Sequence, residues 1–276
     1  MLFETQDGGQ NWQLVYTGGS LIPALSAVGS KVWMTVEMGS GSNLKYQTFV
    51  SNNPANSESA LTNVYQSALF TPVSTKSLLG LDFDSASDGW AITQSQNSIQ
   101  NILLHTVDGG KSWSTVKTPK DVWWGMITGV YFMNPKTGWL LEVGEPGAGQ
   151  EPKAVFQTND GGQTWNKLIG VHHIGASTTQ GSLGSGGYAT GIDFVDKTTG
   201  WLWEERGGIY QTADGGRTWQ PNPIGRPEMF EAQSITFWTP SDGLALFRDN
   251  GQRRYVVEKT SDGGRTWSVV HAWPIE

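Results

Sequence analysis

Apolar and polar residues alternate with a period of two where the pattern is regular, as in Tyr255-Val256-Val257-Glu258-Lys259-Thr260. No stretch sustains the 3.6-residue period of an amphipathic helix. Short apolar runs end at clusters of Gly, Asn, Asp and Ser, so the pattern predicts many short strands and almost no helix. Within it an apolar-x-Phe triplet recurs, and each Phe is followed seven residues later by Trp or Leu preceded by Gly. The copies are Leu81-Asp82-Phe83 with Gly89-Trp90, Val130-Tyr131-Phe132 with Gly138-Trp139, Ile192-Asp193-Phe194 with Gly200-Trp201, and Ile235-Thr236-Phe237 with Gly243-Leu244. A looser copy runs from Leu25-Ser26-Ala27-Val28 to Trp33.

A second phrase, Thr-x-Asp-Gly-Gly-x-[Asn/Ser/Thr]-Trp, occurs five times and keeps step with the first. Its Asp and Trp residues are Asp7 and Trp12, Asp108 and Trp113, Asp160 and Trp165, Asp214 and Trp219, and Asp262 and Trp267. Successive Asp positions are 101, 52, 54 and 48 residues apart. The first interval is close to twice the others, which places a decayed copy near residues 51–58, where Ser51-Asn52-Asn53-Pro54 still reads as a turn.

A repeat of about 50 residues holding four strands is the period of a propeller blade. The last unit parses as strands over 234–238, 244–247, 254–260 and 266–273. The chain is therefore expected to be all-β, a β-propeller of four-stranded antiparallel blades forming a single domain over residues 1–276. Five full blades are expected at about 21–70, 74–119, 126–169, 188–221 and 231–274, with an N-terminal half blade at 1–17. That inventory suits a six-bladed ring or an incomplete seven-bladed one. The half blade has no inner strands before it, so the natural product is expected to extend upstream of Met1 by roughly 20–25 residues at this period, with an export signal ahead of that.

The repeated phrase is the chemistry of a turn. Asp-Gly between two strands is a strong hairpin signal because Gly takes φ > 0 without steric cost. The Asp carboxylate accepts N–H bonds from its own turn, and the Thr two residues earlier offers a hydroxyl to the same loop. The Trp opens the fourth strand and is expected to drive its indole between neighbouring blades. Calcium needs six or more oxygen ligands, and one phrase supplies too few.

The phrase resembles the Asp-box, or BNR repeat, and the chain resembles Asp-box propellers over essentially its whole length. Among these, the coupling of Phe83, Phe132 and Phe194 to their Gly-Trp pairs looks most like the photosystem II stability/assembly factor-like family. That resemblance implies an extracytoplasmic propeller that binds other proteins. Sialidases share the repeat, but the family's Arg-Ile-Pro is matched here only by Leu21-Ile22-Pro23. A sialidase also needs three carboxylate-gripping arginines and a Tyr–Glu pair, which are not evident. A glycosidase of xyloglucanase type needs two carboxylates across a cleft. Asp121, Glu142, Glu145, Glu204 and Glu228 sit on plausible loops for that, in a chain short of that two-propeller family's length.

Composition narrows the partners. Lys and Arg number 18 against 25 Asp and Glu, a net charge of −7, which argues against nucleic acid. Zero Cys removes disulfides, thiolate metal sites and Cys nucleophiles. No apolar run reaches the roughly 18 residues of a membrane span. With 14 Trp and 36 Gly, the chain reads as folded, turn-rich and aromatic-cored.

Ligand chemistry is expected opposite the Asp-Gly-Gly turns, on loops held by a rigid scaffold. The candidate binding face comprises Trp123, Trp124, Tyr188, Glu204, Arg206, Arg226, Arg248 and Arg253. For Glu204, Arg206, Arg248 and Arg253 the default reading is solvated rim charge. Gly184-x-Gly186-x-x-Ala189 imitates a dinucleotide fingerprint, but it sits between strands and is discarded. His172 and His173 point apart if extended and have no third ligand nearby, so no metal site is assigned. No catalytic residue and no cofactor are expected. The expected partner is another protein or a peptide, with a glycan as the other choice.

Overall fold

Paired glycines let the four described Asp-Gly-Gly phrases close hairpins that side chains would obstruct. Gly109 and Gly110, Gly161 and Gly162, Gly215 and Gly216, and Gly263 and Gly264 all have φ between 74° and 93°. The first glycine of each pair donates its N–H to the neighbouring turn of the same sheet. Gly109 bonds Ser87, Gly161 bonds Lys136, Gly215 bonds Thr198 and Gly263 bonds Ser241, at 2.8–2.9 Å. A Cβ at Gly215 would stand 2.6 Å from the Lys197 carbonyl oxygen, so the close approach itself requires glycine. The two turns at this end of these four sheets are thus locked side by side.

The Asp side chain completes the turn. Asp108 Oδ1 accepts from Thr106 Oγ1 and from the Ser112 N–H, both at 2.8 Å, and Oδ2 accepts the Ser112 hydroxyl at 2.6 Å. The Thr106 hydroxyl oxygen in turn accepts the Gly110 N–H at 2.9 Å. Asp214 and Asp262 carry the same net. The Ser112 and Thr266 hydroxyls, followed by their backbone N–H groups, hold Asp108 and Asp262 down at about 2.

The computed structural model describes residues 2–4, 13–16, 24–28, 31–38, 45–51, 75–95, 101–119, 125–171, 181–205, 208–222 and 230–275. Strands are the only regular elements among them. The chain forms two compact units. The first spans Met1–Thr118 with Asn134–Lys136 and Asp160–Gln163, and the second holds the remainder. In the first unit, β1 (Leu2–Glu4) pairs with β2 (Gln13–Tyr16). A three-stranded antiparallel sheet follows, β3 (Ala24–Val28), β4 (Lys31–Met38) and β5 (Lys45–Ser51). The fourth strand expected there falls outside the described residues. The unit ends with a four-stranded sheet, β6 (Thr75–Phe83), β7 (Gly89–Ser95), β8 (Asn101–Thr106) and β9 (Ser114–Val116).

The second unit holds three four-stranded antiparallel sheets, each ordered as in the chain. They are β10 (Met126–Phe132), β11 (Gly138–Val143), β12 (Lys153–Thr158) and β13 (Asn166–Val171). Next come β14 (Tyr188–Phe194), β15 (Gly200–Glu205), β16 (Gly208–Thr212) and β17 (Gln220–Asn222). Last are β18 (Phe230–Phe237), β19 (Gly243–Asp249), β20 (Arg254–Thr260) and β21 (Ser268–Pro274). This meander, with its Asp-Gly-Gly turn joining the third and fourth strands, is a propeller blade.

The core repeats one aromatic arrangement. Phe194 is stacked by Trp139 of the preceding blade, with centroids 3.9 Å apart and planes at 12°, and met edge-on by Trp219 of its own blade at 6.2 Å. Phe237 lies likewise between Trp201 at 3.5 Å and Trp267 at 6.0 Å, and Phe83 between Trp33 at 3.9 Å and Trp113 at 6.0 Å. Each stacking indole donates its N–H to a turn glycine of the blade it stacks on. Trp139 bonds the Gly215 carbonyl at 2.9 Å, Trp201 that of Gly263 at 3.1 Å and Trp33 that of Gly109 at 3.3 Å. The glycine that opens the second strand, before Trp90, Trp139, Trp201 or Leu244, lies under the Phe of its own blade. A Cβ at Gly89, Gly138, Gly200 or Gly243 would meet that ring at 2.4–2.7 Å.

The ring that stacks on the next blade is the second-strand Trp, and Trp33, Trp139 and Trp201 are fully enclosed. Of the turn-phrase Trps expected between blades, Trp219 is equally enclosed and Trp113 is buried, whereas Trp165 and Trp267 are half-buried. The second strand lies inside its sheet, so its side chain reaches the first strand of the next blade. The turn Trp opens the outermost strand and bonds locally, Trp219 to the Gly216 carbonyl and Trp267 to that of Gly264. First strands are also tied directly: the Phe237 N–H donates to Asp193 Oδ2 and the Phe83 N–H to Ser26 Oγ, both at 2.9 Å. Trp201→Ala is expected to lower unfolding free energy by about 3–5 kcal/mol, the cost of deleting a buried aromatic. Trp267→Ala should cost less, and urea denaturation of both variants checks the ranking.

Candidate functional site

At the ends of the strands away from the Asp-Gly-Gly turns, the second unit gathers charge in its interior. The hairpin after β11 closes with Gly144 N–H on the Pro152 carbonyl at 2.8 Å and reciprocal bonds between Gly147 and Gln150. Segment 181–187, which leads into β14, is sewn to that hairpin. The Glu151 N–H donates to the Ser185 carbonyl and the Gly187 N–H to the Gly149 carbonyl, while the Ser185 hydroxyl donates to Gln150 Oε1.

Lys153 opens β12 on the face turned to the next blade and is fully buried. Its ammonium donates to the Gly186 carbonyl at 2.7 Å and to Glu204 Oε1. Glu204, on the facing side of β15, is 2% exposed. Glu151, two residues before Lys153, is also buried and accepts the Ala189 N–H at the start of β14. Lys153 thus joins β12 to the crossover and to β15 of the next blade, and Glu151 adds β14.

Burial governs the electrostatics. It pushes Glu151 up to about 7, with Glu204 and Glu205 adding to the rise and the Ala189 N–H and Lys153 opposing it. Burial also raises Glu204, against the pull of Lys153 and the Tyr210 hydroxyl. Tyr210 on β16 is pushed up to about 12 by burial and by the Glu204 carboxylate. Glu142, near the end of β11, is buried as well, and a Cβ at residue 125 would lie 2.0 Å from its Oε1, which accounts for Gly125.

The expectation that Glu204 is a solvated rim charge is corrected: it is an interior partner of Lys153. The residue ends a strand instead of starting a loop, and alternation along β15 turns Leu202 and Glu204 to the same inner side. Tyr188 opens β14, half-buried and paired in register with Glu205. Arg248 is exposed, 3.8 Å from Glu231. Arg253 is exposed with φ 49°, in the turn before β20, and its carbonyl accepts the Ile275 N–H at 2.8 Å. Glu145 is exposed. Asp7, Trp12, Asp121, Trp123, Trp124, His172, His173, Arg206, Arg226 and Glu228 lie outside the described residues. Among the described residues no three His, Cys, Asp or Glu side chains are grouped to hold a metal ion.

Sequence reasoning missed Lys153, Glu151 and Asp193. Lys153 stands directly before the apolar run Ala154-Val155-Phe156, and Asp82 and Asp193 share one place in the apolar-x-Phe triplet. Those were the available signals. Neither names a partner.

No protein-family model matches the chain. No curated protein matches it in sequence. Solved structures do match in fold. YCF48 bound to D1 peptide superposes with a TM-score of 0.52 at 17% identity, over 97% of this chain and 73% of that one. A Hadza microbial sialidase gives 0.56 at 17% identity, over 92% of this chain and 58% of that one. A GH74 enzyme from Niastella koreensis gives 0.56 at 14% identity, over 91% of this chain and 37% of that one. These likenesses and the blade meanders make the chain an all-β propeller. They carry no single activity with them.

Lys153→Met is expected to cost about 3–5 kcal/mol, because it strands the buried Glu204 carboxylate. Adding Glu204→Leu should recover most of that loss in chemical denaturation. The pH dependence has a definite sign. Glu151 and Asp193 both hold their protons to about 7, against 4.5 and 3.8 for the free groups, with burial the leading cause. Their contribution is fully present below about 4 and is lost as pH rises through 7. Asp108 and Asp262 act oppositely, and only as pH falls below 3.8 toward 2. The urea midpoint should therefore rise between pH 8 and pH 5.5.

Proposed function

We propose that this chain is a non-catalytic binding propeller, an assembly-factor-like scaffold that takes a segment of another protein or a peptide on the loop-bearing face of its blades. The observation that carries this reading is the fate of the charges there. Lys153, Glu151 and Glu204 are spent on one another and on the backbone of segment 181–189, which frames the loops. A framework so fastened suits recognition, where rigid loops limit the entropy lost on binding. Likeness in fold to a propeller solved with a bound peptide supports the same choice. The same proposal puts its work outside the cytoplasm, a reading supported by the resemblance of the repeat to extracytoplasmic assembly-factor propellers.

A glycoside-processing reading has one observation in its favour. Glu151 and Glu204 are two carboxyls with raised proton affinity around one lysine, the tuning expected of a general acid. Both are buried, however, whereas a glycosidase needs its pair to flank the sugar. The two readings separate in one experiment. Peptides selected from a displayed library should bind the purified protein and lose about tenfold in affinity in the Arg248→Glu variant, as expected for a charged contact worth about 1.4 kcal/mol. Fluorogenic sialosides and xyloglucan oligosaccharides should remain uncleaved. Turnover of either substrate that disappears in Glu151→Gln would overturn the binding reading.

A further inference from the structure

We propose that the cluster of Glu151, Lys153 and Glu204 is a proton-operated latch on segment 181–187, closed when the cluster has taken up a proton and released when it has lost one. The geometry supplies the latch. Lys153 grips the Gly186 carbonyl, Glu151 grips the Ala189 N–H, and the Glu151 and Gly187 N–H groups tie the segment to the hairpin after β11. All these fastenings lie within four residues of one another in the segment, so they open together. Exposed Gly186 and Ala148 lie on the two strips being fastened, so release would change the surface they form.

Among the described residues, the charged groups facing Glu151 are Lys153 beside it in the chain and Glu204 and Glu205 at the end of β15. Tyr210 on β16 faces Glu204. With Glu151 protonated, its carbonyl oxygen still accepts the Ala189 N–H, and two carboxylates face one ammonium. Ionisation adds a third carboxylate to the cluster, with no further cation among the described residues facing it. Opening relieves this by hydrating Glu151, whose proton affinity then falls from about 7 to the free value of 4.5. Linkage between those two values makes the opening equilibrium rise about tenfold from pH 6 to pH 8. Asp193 has a similar proton affinity but sits at the other end of β14, on the Phe237 N–H.

Hydrogen exchange of the whole protein at pH 6 and pH 8, corrected for intrinsic exchange rates, tests this without any ligand. Protection at Gly187 and Ala189 should fall about tenfold at pH 8, while Gly215, whose N–H donates to the Thr198 carbonyl, stays protected. Glu151→Gln keeps an acceptor for Ala189 but cannot ionise, so its segment should remain equally protected at both pH values. Asp193→Asn should keep the wild-type pH dependence at Gly187 and Ala189. Unchanged wild-type protection between the two pH values overturns the latch, as does a Glu151→Gln protein that still opens at pH 8. The wild-type comparison decides the matter even if a variant does not fold. The outcome is independent of what the face binds, so it leaves the binding reading to its own test.

Discussion

The stack of a second-strand Trp on the Phe of the next blade is the interaction from which the other regularities follow. Burying an indole removes a large apolar surface from water, but its N–H must still find an acceptor. The carbonyl of the first turn glycine in the next blade supplies it, at Gly215 for Trp139 and Gly263 for Trp201. That carbonyl is aimed correctly only when both glycines adopt positive φ and the turn is pinned by its Asp and Thr. Turn chemistry and core packing are therefore one requirement. The glycine before the Trp belongs to it too, because the Phe of its own blade lies over that position.

The two ends of the blades treat carboxylates in opposite ways. At the turn end, Asp108 and Asp262 stay in water and gather hydroxyl and N–H donors, so they are held ionised. At the loop end, Glu151 and Glu204 are withdrawn from water and answered by one lysine; burial raises both, and Glu151 is pushed up to about 7. Asp193 is a third case, buried on a first strand and used to tie the next blade. Local hydrogen bonding keeps Asp108 and Asp262 ionised through neutral pH, whereas burial makes Glu151 and Asp193 responsive to it.

Much of the fold was legible because blade formation is local. Hairpins form between neighbouring segments, so strand positions, turn glycines and the four-strand period all show in a window of about 50 residues. The expected third strand of the last unit, residues 254–260, matches β20, and the expected fourth strand, 266–273, overlaps β21 at 268–274. The Trp of the turn phrase was expected between blades, and Trp113 and Trp219 are buried, but the ring stacked on the Phe of the next blade is the second-strand Trp. Which of two recurring aromatics wedges between blades depends on its strand's rank within the sheet, which only the paired strands reveal.

The site was far less legible. Glu204 and Lys153 are 51 residues apart, and neither the alternation along β15 nor the apolar run of β12 says that their faces meet. Glu204-Glu205-Arg206 looks like a hydrated loop because charged residues usually stay in water. The amino-acid sequence by itself determined the strands, the turns that join them and the repeat that stacks them, since those rest on backbone conformation and short-range hydrogen bonds. Only the tertiary structure decided which charges enter the interior. Burying a charge is tolerable only beside its partner, and that partner is brought up by the packing of one blade on the next.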